Sequence, residues 1–252
     1  MWTFILFALT AQSAQNDPPE QWVRSEVKIA EILAADTAVE IVNHFGDVRI
    51  RNGPAHEIKV TAILKNAASE PDGLKARLKQ QDDGPTRIAV TYQGVEENTH
   101  HFTYRRADLH VYLPAVTAVR VRASRGLIEA KPLKNDLDLD MGKGTVVIET
   151  TGGASARIDV GSITAALIGP GGKTPCFFQT NMGNISLLLP AKEAFGLVAK
   201  TKAAFTTDYF SLDIRPDPNT GFKQAQIRNG TGGRQITAES DGGQIFILAK
   251  SP

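Results

Sequence analysis

Cysteine is almost absent from this chain of 252 residues, since Cys176 is the only one. A single cysteine excludes an intrachain disulfide, so the apolar core must hold the fold together even in an oxidising compartment. The segment from Ala11 to Gln15 contains no cysteine, and we therefore expect no lipid attachment there. These absences predict a protein without a covalent cross-link or a lipid anchor.

An excess of charge of one sign is also lacking. Lys and Arg total 28, and Asp and Glu total 27. The chain therefore has no overall basic field that would attract nucleic acid or an anionic membrane surface. A polyanionic partner would need a local patch of basic side chains, and we expect no nucleic-acid partner.

Long apolar runs are missing after the first residues. Met1–Ala14 is an apolar stretch that ends in small residues, as in a secretory signal cleaved after Ser13 or Ala14, and it is too short to span a bilayer. No Lys or Arg precedes it, so either the natural start lies upstream or the signal is atypical; a buried first strand is the other interpretation. We predict a linker over 15–21, one domain over 22–252, and export to the periplasm, cell surface or medium without a transmembrane span in the mature chain.

Helical periodicity is scarce. Short runs rich in Val, Ile, Thr and Phe are separated by Gly, Asn, Asp or Pro, which is typical of many strands. Apolar and polar residues alternate most clearly in Val39–Asn43, Asp47–Arg51 and Glu57–Ile63. One stretch differs, because Leu74 and Leu78 lie four residues apart within 70–81, which predicts a short helix. The chain is therefore predicted to be all-β with one short helix in its amino-terminal part.

A triplet of the form Gly-x-Ile or Gly-x-Val recurs, and each copy opens a strand pattern. The copies begin at Gly46, Gly126, Gly144, Gly161, Gly183 and Gly243. The intervals from Gly126 to Gly183 are 18, 17 and 22 residues, close enough to one period to predict the coils of a solenoid. Each glycine would form a structural corner, and the branched residue after it would point inward.

Several longer motifs carry a resemblance to a known family. They are Asn43–Val48, His110–Pro114, Asn181–Pro190 and Ser240–Ile245. These motifs resemble DUF4097, a family of bacterial domains named as adhesins by analogy, over nearly the whole mature chain. The resemblance implies a single-stranded right-handed β-helix or β-roll in the bacterial envelope, with no agreed catalytic residues.

Two segments depart from the family pattern. Gly171–Pro175 lengthens one coil, and Asp217–Gly233 is a turn-rich insertion before the last coil. We expect any binding specificity of this protein at these two segments. The last strand, over 244–248, has little chain after it, so its outer edge is expected to be shielded by Lys250 or by a partner.

The sharpest chemical hypothesis concerns Asp136, Asp138 and Asp140, because strand alternation places all three carboxylates on one face. Such acids could bind a hard cation or cleave a glycosidic bond. The alternative is a solvated strand face with Leu137 and Leu139 in the core, and we favour it because a site also needs a pocket. Exposed neighbouring carboxylates repel, so we expect their joint replacement by Asn to be neutral or slightly stabilising.

Other candidate motifs give weaker signals. Gly169–Thr174 resembles the end of a phosphate-binding loop, but Leu167 stands where that loop needs a glycine, so we interpret the segment as a glycine corner. His100 and His101 would point to opposite faces of a strand, and His110 would add only one ligand across a ladder. We therefore predict no metal and no cofactor.

The sequence thus predicts a non-enzymatic envelope protein whose rigid β-solenoid presents a binding surface to a glycan or an envelope protein. The first alternative is a β-helix polysaccharide lyase or glycoside hydrolase that uses Asp136, Asp138 and Asp140. The second alternative is a self-assembling structural protein whose end strands pair into oligomers.

Overall fold

The structure is a computed structural model that describes residues 22–33, 37–68, 73–79, 84–92, 105–134, 136–169, 174–209 and 212–250. The predicted signal segment and linker lie outside these ranges. The first nine strands are β1 Trp22–Ile32, β2 Val39–Phe45, β3 Val48–Asn52, β4 Glu57–Ala67, β5 Leu74–Lys79, β6 Thr86–Tyr92, β7 Arg106–Leu113, β8 Val119–Leu133 and β9 Leu137–Thr150. The other nine are β10 Ala154–Leu167, β11 Cys176–Met182, β12 Ile185–Pro190, β13 Phe195–Thr201, β14 Phe205–Thr207, β15 Asp213–Pro216, β16 Lys223–Asn229, β17 Arg234–Ser240 and β18 Ile245–Lys250.

The secondary structure confirms the all-β prediction, since the described residues contain strands and no helix. A helix long and apolar enough to cross a membrane is accordingly not found in this part of the chain. All 18 strands belong to one continuous hydrogen-bonded sheet. The solenoid and its right-handed sense stay predictions.

The helix predicted within 70–81 is wrong, because β5 pairs antiparallel with β6 in its place. Leu74 is buried, while Ala76 and Leu78 are half-buried and pack against the core. These three residues alternate with charged ones, which is the period of a strand. The spacing of Leu74 and Leu78 fits both periods, and Ala76 between them decides for the strand. The flanking positions 70–72 and 80–81 lie outside the described residues.

Three long strands form the middle of the sheet and lie parallel and in register. β9 pairs with β8 on one side and with β10 on the other, so that Gly126, Gly144 and Gly161 stand opposite one another. In β8, Val121 is buried before the glycine and Ile128 is buried after it. The buried positions therefore change from odd to even numbers across the glycine, so the chain turns a corner there.

The corners divide the sheet into two halves. Half-sheet I contains the segments before the glycines, in the order β5, β6, β2, β8, β9, β10, β11, β17, β13, β16 and β15. Half-sheet II contains the segments after them, in the order β1, β4, β7, β3, β8, β9, β10, β12, β18 and β14. Buried apolar side chains from both halves form one core cluster.

The corner glycines form a column along which only glycine fits. Gly126, Gly144 and Gly161 have φ angles of 144°, 145° and 140°, which L residues rarely adopt. A Cβ on any member would overlap the carbonyl oxygen of the member before it. The column runs in the order Gly46, Gly126, Gly144, Gly161, Gly183 and Gly243, and its first glycine stacks on the backbone of Ala107.

Buried polar side chains bind several carbonyl oxygens of this column. Thr180 donates from its hydroxyl to Gly161 at 3.2 Å, and Ser240 donates to Gly183 at 2.8 Å. Thr201 donates in the same way to Gly243 at 2.6 Å. These hydroxyls satisfy carbonyl groups that the core would otherwise leave without a partner.

The order of the strands at the carboxyl end differs from the order in the chain. β17 lies between β11 and β13, and β18 lies between β12 and β14. The last strand is therefore an inner strand, and the expectation that Lys250 or a partner shields its outer edge is wrong. β14, a segment earlier in the chain, pairs with the first half of that edge, over Ile245–Ile247.

Candidate functional site

The three aspartates of the sequence hypothesis lie on or beside β9, on the outer face of half-sheet I. Asp138 accepts a hydrogen bond from Arg120 at 2.9 Å, and the guanidinium of Arg122 lies 3.4 Å from the same carboxylate. Asp140 forms an ion pair with Arg122 at 3.5 Å. Asp136 accepts a hydrogen bond from the backbone N–H of Gly153 at 3.1 Å.

These pairs belong to two rows of side chains with alternating charge. In the first row, Arg87, Glu40, Arg120, Asp138 and Ser155 stand opposite one another on successive strands. The second row contains Arg122, Asp140, Arg157 and Gln179. Opposite charges directly across a ladder stabilise a sheet. The alternating aspartates of β9 therefore match the alternating arginines of β8.

The structure alters the stability expected when Asp136, Asp138 and Asp140 are all replaced by Asn. The variant loses its cross-strand ion pairs, so we now expect a destabilisation of about 1 to 2 kcal/mol rather than a neutral or stabilising effect. Urea unfolding measures this difference. Adding Arg122→Gln to the triple variant should cost less than Arg122→Gln alone, because its partners are already gone. Equal costs in both backgrounds would show that the pairs do not form.

The other sequence candidates are distributed over several parts of the sheet. His110 lies on β7, whereas His100 and His101 lie outside the described residues. Only Gly169 and Thr174 of the glycine corner are described. Cys176 is buried, and this burial raises the pKa of its thiol, which disfavours the reactive thiolate. Where the structure describes the chain, no group of three or more His, Cys, Asp or Glu could hold a metal ion.

A groove with a volume of about 810 Å³ lies on the outer face of half-sheet I near its carboxyl end. β13, β16 and β17 form its floor, and the segment 212–213 and the turn after β16 lie at its sides. The polar side chains that line it are Asp213, Gln226, Arg228, Thr231 and Gln235. Part of the predicted turn-rich insertion, Asp217–Gly233, forms strand β16.

Gly196 lies on the floor of this groove. Gly196 lies between Arg228 on one neighbouring strand and Gln235 on the other. A Cβ at this position would lie 2.7 Å from the Gln235 side-chain oxygen. The amide of Gln235 therefore lies over Gly196 on the groove floor, and Arg228 stands on the other side of this position.

The polar side chains around Gly196 in the groove are suited to a polar ligand. Arg228 and Gln235 are exposed, as is Gln226 in the next row. Arg228 presents N–H donors, while each glutamine presents both a donor and an acceptor. Asp213 is already paired with Arg215 at 2.8 Å. The strongest unpaired charge in the described lining of the groove is thus the guanidinium of Arg228.

Comparisons with known proteins concern the fold. No protein-family model and no curated protein matches the chain, so the resemblance to DUF4097 stays a prediction. A solved "putative cell adhesion protein" from Clostridium sporogenes is similar with a TM-score of 0.55 and 12% identity, over 90% of this chain and 100% of that one. A "putative adhesin" from Bacteroides fragilis has a TM-score of 0.43 and 7% identity, over 90% and 97% of the two chains. Identities this low show a likeness of fold alone. The TM-score of the Bacteroides fragilis structure is too low to support any conclusion.

Proposed function

We propose that this chain is an exported, non-enzymatic binding protein of the bacterial cell envelope, and that it binds a glycan or protein in the groove at Gly196. The observation that carries this proposal is the groove itself, with Gln226, Arg228 and Gln235 around Gly196. The likeness of fold to the putative cell adhesion protein of Clostridium sporogenes supports a binding role. The apolar segment at the amino terminus supports export.

We further propose that the parallel layers close into a right-handed β-solenoid, which would hold the groove rigid. The floor of the groove contains strands that pair on both sides, as β13 does with β16 and β17. A site on paired strands needs little ordering when a ligand binds, so less free energy is lost. Such a surface suits a long ligand that lies along the sheet.

The chemistry of the groove favours a ligand that carries carboxylates, such as a uronic-acid polysaccharide. Arg228 would form paired hydrogen bonds with a carboxylate, which a guanidinium does better than an ammonium group. Gln226 and Gln235 would bind sugar hydroxyl groups as both donors and acceptors. The balanced charge of the whole chain means that this attraction must be local.

A binding array of acidic and neutral polysaccharides tests this function. We expect the wild type to retain polygalacturonate or alginate and not dextran. Gly196→Trp should abolish this binding because the indole would displace the Gln235 side chain and fill the groove above position 196. Arg228→Gln should weaken it about tenfold or more, since a hydrogen bond to a charged group contributes about 1.5 to 3 kcal/mol. Both changes lie on the outer face, so the melting temperature should stay close to that of the wild type.

Ser155→Trp is the matched control, because Ser155 also lies on the outer face of half-sheet I but away from the groove. This variant should bind as the wild type does. Equal loss of binding in Ser155→Trp and Gly196→Trp would place the ligand elsewhere on the sheet. If the wild type bound no acidic polysaccharide, the proposed ligand class would be wrong.

The alternative of polysaccharide cleavage draws on a second groove, of about 350 Å³. Glu40, Asp136 and Asp138 line this groove together with Arg120. Asp138 is held by Arg120 and Arg122 across the ladder, and these contacts suit a structural role in the sheet. Release of shorter sugars from any polysaccharide of the array, lost in the triple Asn variant, would favour the enzyme.

A further inference from the structure

The first strand of half-sheet II has an outer edge with which no described strand pairs. β1 pairs with β4 over its full length, from Trp22 to Ile32, and only on that side. The strand has 11 residues and is exposed at most positions. A long strand edge can pair with another chain through its backbone donors and acceptors.

The side chains of β1 are complementary to those of a second, antiparallel copy of β1. Around Val27 the strand reads Arg24-Ser25-Glu26-Val27-Lys28. If two copies pair with Val27 opposite Val27, Glu26 of each copy faces Lys28 of the other. Trp22, whose exposed fraction is 51%, then faces Ile32 of the other copy.

Other antiparallel registers of the two copies are less favourable. Residues that face each other must point to the same side of the sheet, which excludes any register centred between two residues. A register centred on Glu26 places two glutamates opposite each other, and one centred on Lys28 does the same with two lysines. Only the register centred on Val27 uses all 11 residues of the strand.

We propose that two copies of this chain associate through their β1 edges, antiparallel and centred on Val27. The dimer joins the two half-sheets II into one continuous sheet. Val27 and Ile29, which are half-buried and pack against the core, extend the apolar layer across the two-fold axis. Glu26 and Lys28 already lie 3.1 Å apart within one strand, and in the dimer each gains a partner across the axis.

Charge reversal on β1 tests this dimer by sedimentation equilibrium of the purified chain. Glu26→Lys places lysine opposite lysine in each homodimer, and Lys28→Glu places glutamate opposite glutamate. Each single variant should therefore dimerise at least about tenfold more weakly than the wild type, since like charges across a ladder destabilise it. An equimolar mixture of the two variants should recover the dimer, because every facing pair then has opposite charges.

Lys75→Glu on β5 is the matched control, since Lys75 is also an exposed lysine on a strand, and it should leave dimerisation unchanged. Melting temperatures of all variants check that the fold is intact. A wild type that stays monomeric at all concentrations would overturn the proposal. So would single variants that dimerise as tightly as the wild type, or a mixture no tighter than either variant alone.

Discussion

Replacing Gly161 by alanine is expected to unfold much of the protein at temperatures where the wild type is folded. Its φ angle is 140°, and the new Cβ would overlap the carbonyl oxygen of Gly144. Neither backbone can move alone, because Gly144 is itself stacked on Gly126 and Gly183 on Gly161. We expect a loss of more than about 4 kcal/mol, the range of severe core and backbone defects.

The effect is measured by thermal and urea unfolding. For a domain of this size, the expected loss corresponds to a fall in melting temperature of roughly 10 °C or more. Gly221→Ala is the control, because Gly221 has a φ of 71° and nothing lies within 4 Å of its added Cβ. The control should lose only about 1 kcal/mol, the cost of the left-handed conformation alone. Similar losses in the two variants would contradict the stacked column.

The second large effect is expected from a carboxylate placed in the core. Ile163 and Ile185 stand opposite each other in neighbouring strands, and both are fully buried. Ile163→Asp and Ile185→Asp would each bury a carboxylate without a partner, which costs several kcal/mol. The cavity left by the isoleucine adds to this loss. We expect either variant to be largely unfolded or to melt far below the wild type.

The neighbouring outward positions supply controls for these two substitutions. Thr164 follows Ile163, Ser186 follows Ile185, and both are partly exposed. Thr164→Asp and Ser186→Asp introduce the same carboxylate on the outer face and should change stability by less than about 1 kcal/mol. If the inward and outward variants melted at the same temperature, the assignment of the two faces would be wrong.

The sequence predicts much of this fold because its signals are local. A corner needs a glycine and an inward branched residue two positions after it, as in Gly161 and Ile163, and both are visible in a short window. The alternation of Asp138 and Asp140 with Leu139 likewise assigns an outer and an inner face without any knowledge of neighbouring strands. Their arginine partners lie about one layer earlier in the chain, so the ion pairs need the register as well.

The errors arise where a local pattern is ambiguous or where the order of strands is set by distant contacts. Leu74 and Leu78 fit a helix and a strand equally, and the burial of Ala76 together with pairing to β6 decides for the strand. β18 resembles a terminal strand because little chain follows it. The first half of its edge nevertheless pairs with β14, from an earlier part of the chain, and no local signal could indicate this.

The groove depends on residues that are distant in the sequence and become neighbours across strands. Gly196 lies about 30 residues before Arg228 and about 40 before Gln235 in the printed sequence. A lone glycine in a strand often marks a close approach or a gap, which is the only sequence signal at this position. The carboxyl-terminal insertion indicated the region, and the paired strands define the residues.

The central claim is that the groove around Gly196 is the binding site. It is tested most directly by amide NMR shifts of the wild type during titration with a ligand. The ligand is the acidic polysaccharide that the protein binds most tightly on the array. We predict that the largest shift changes occur at Gly196, Arg228 and Gln235 and their strand neighbours. Changes confined to Asp138, Asp140 and their neighbours on β8 and β10 would contradict the claim and favour the enzyme.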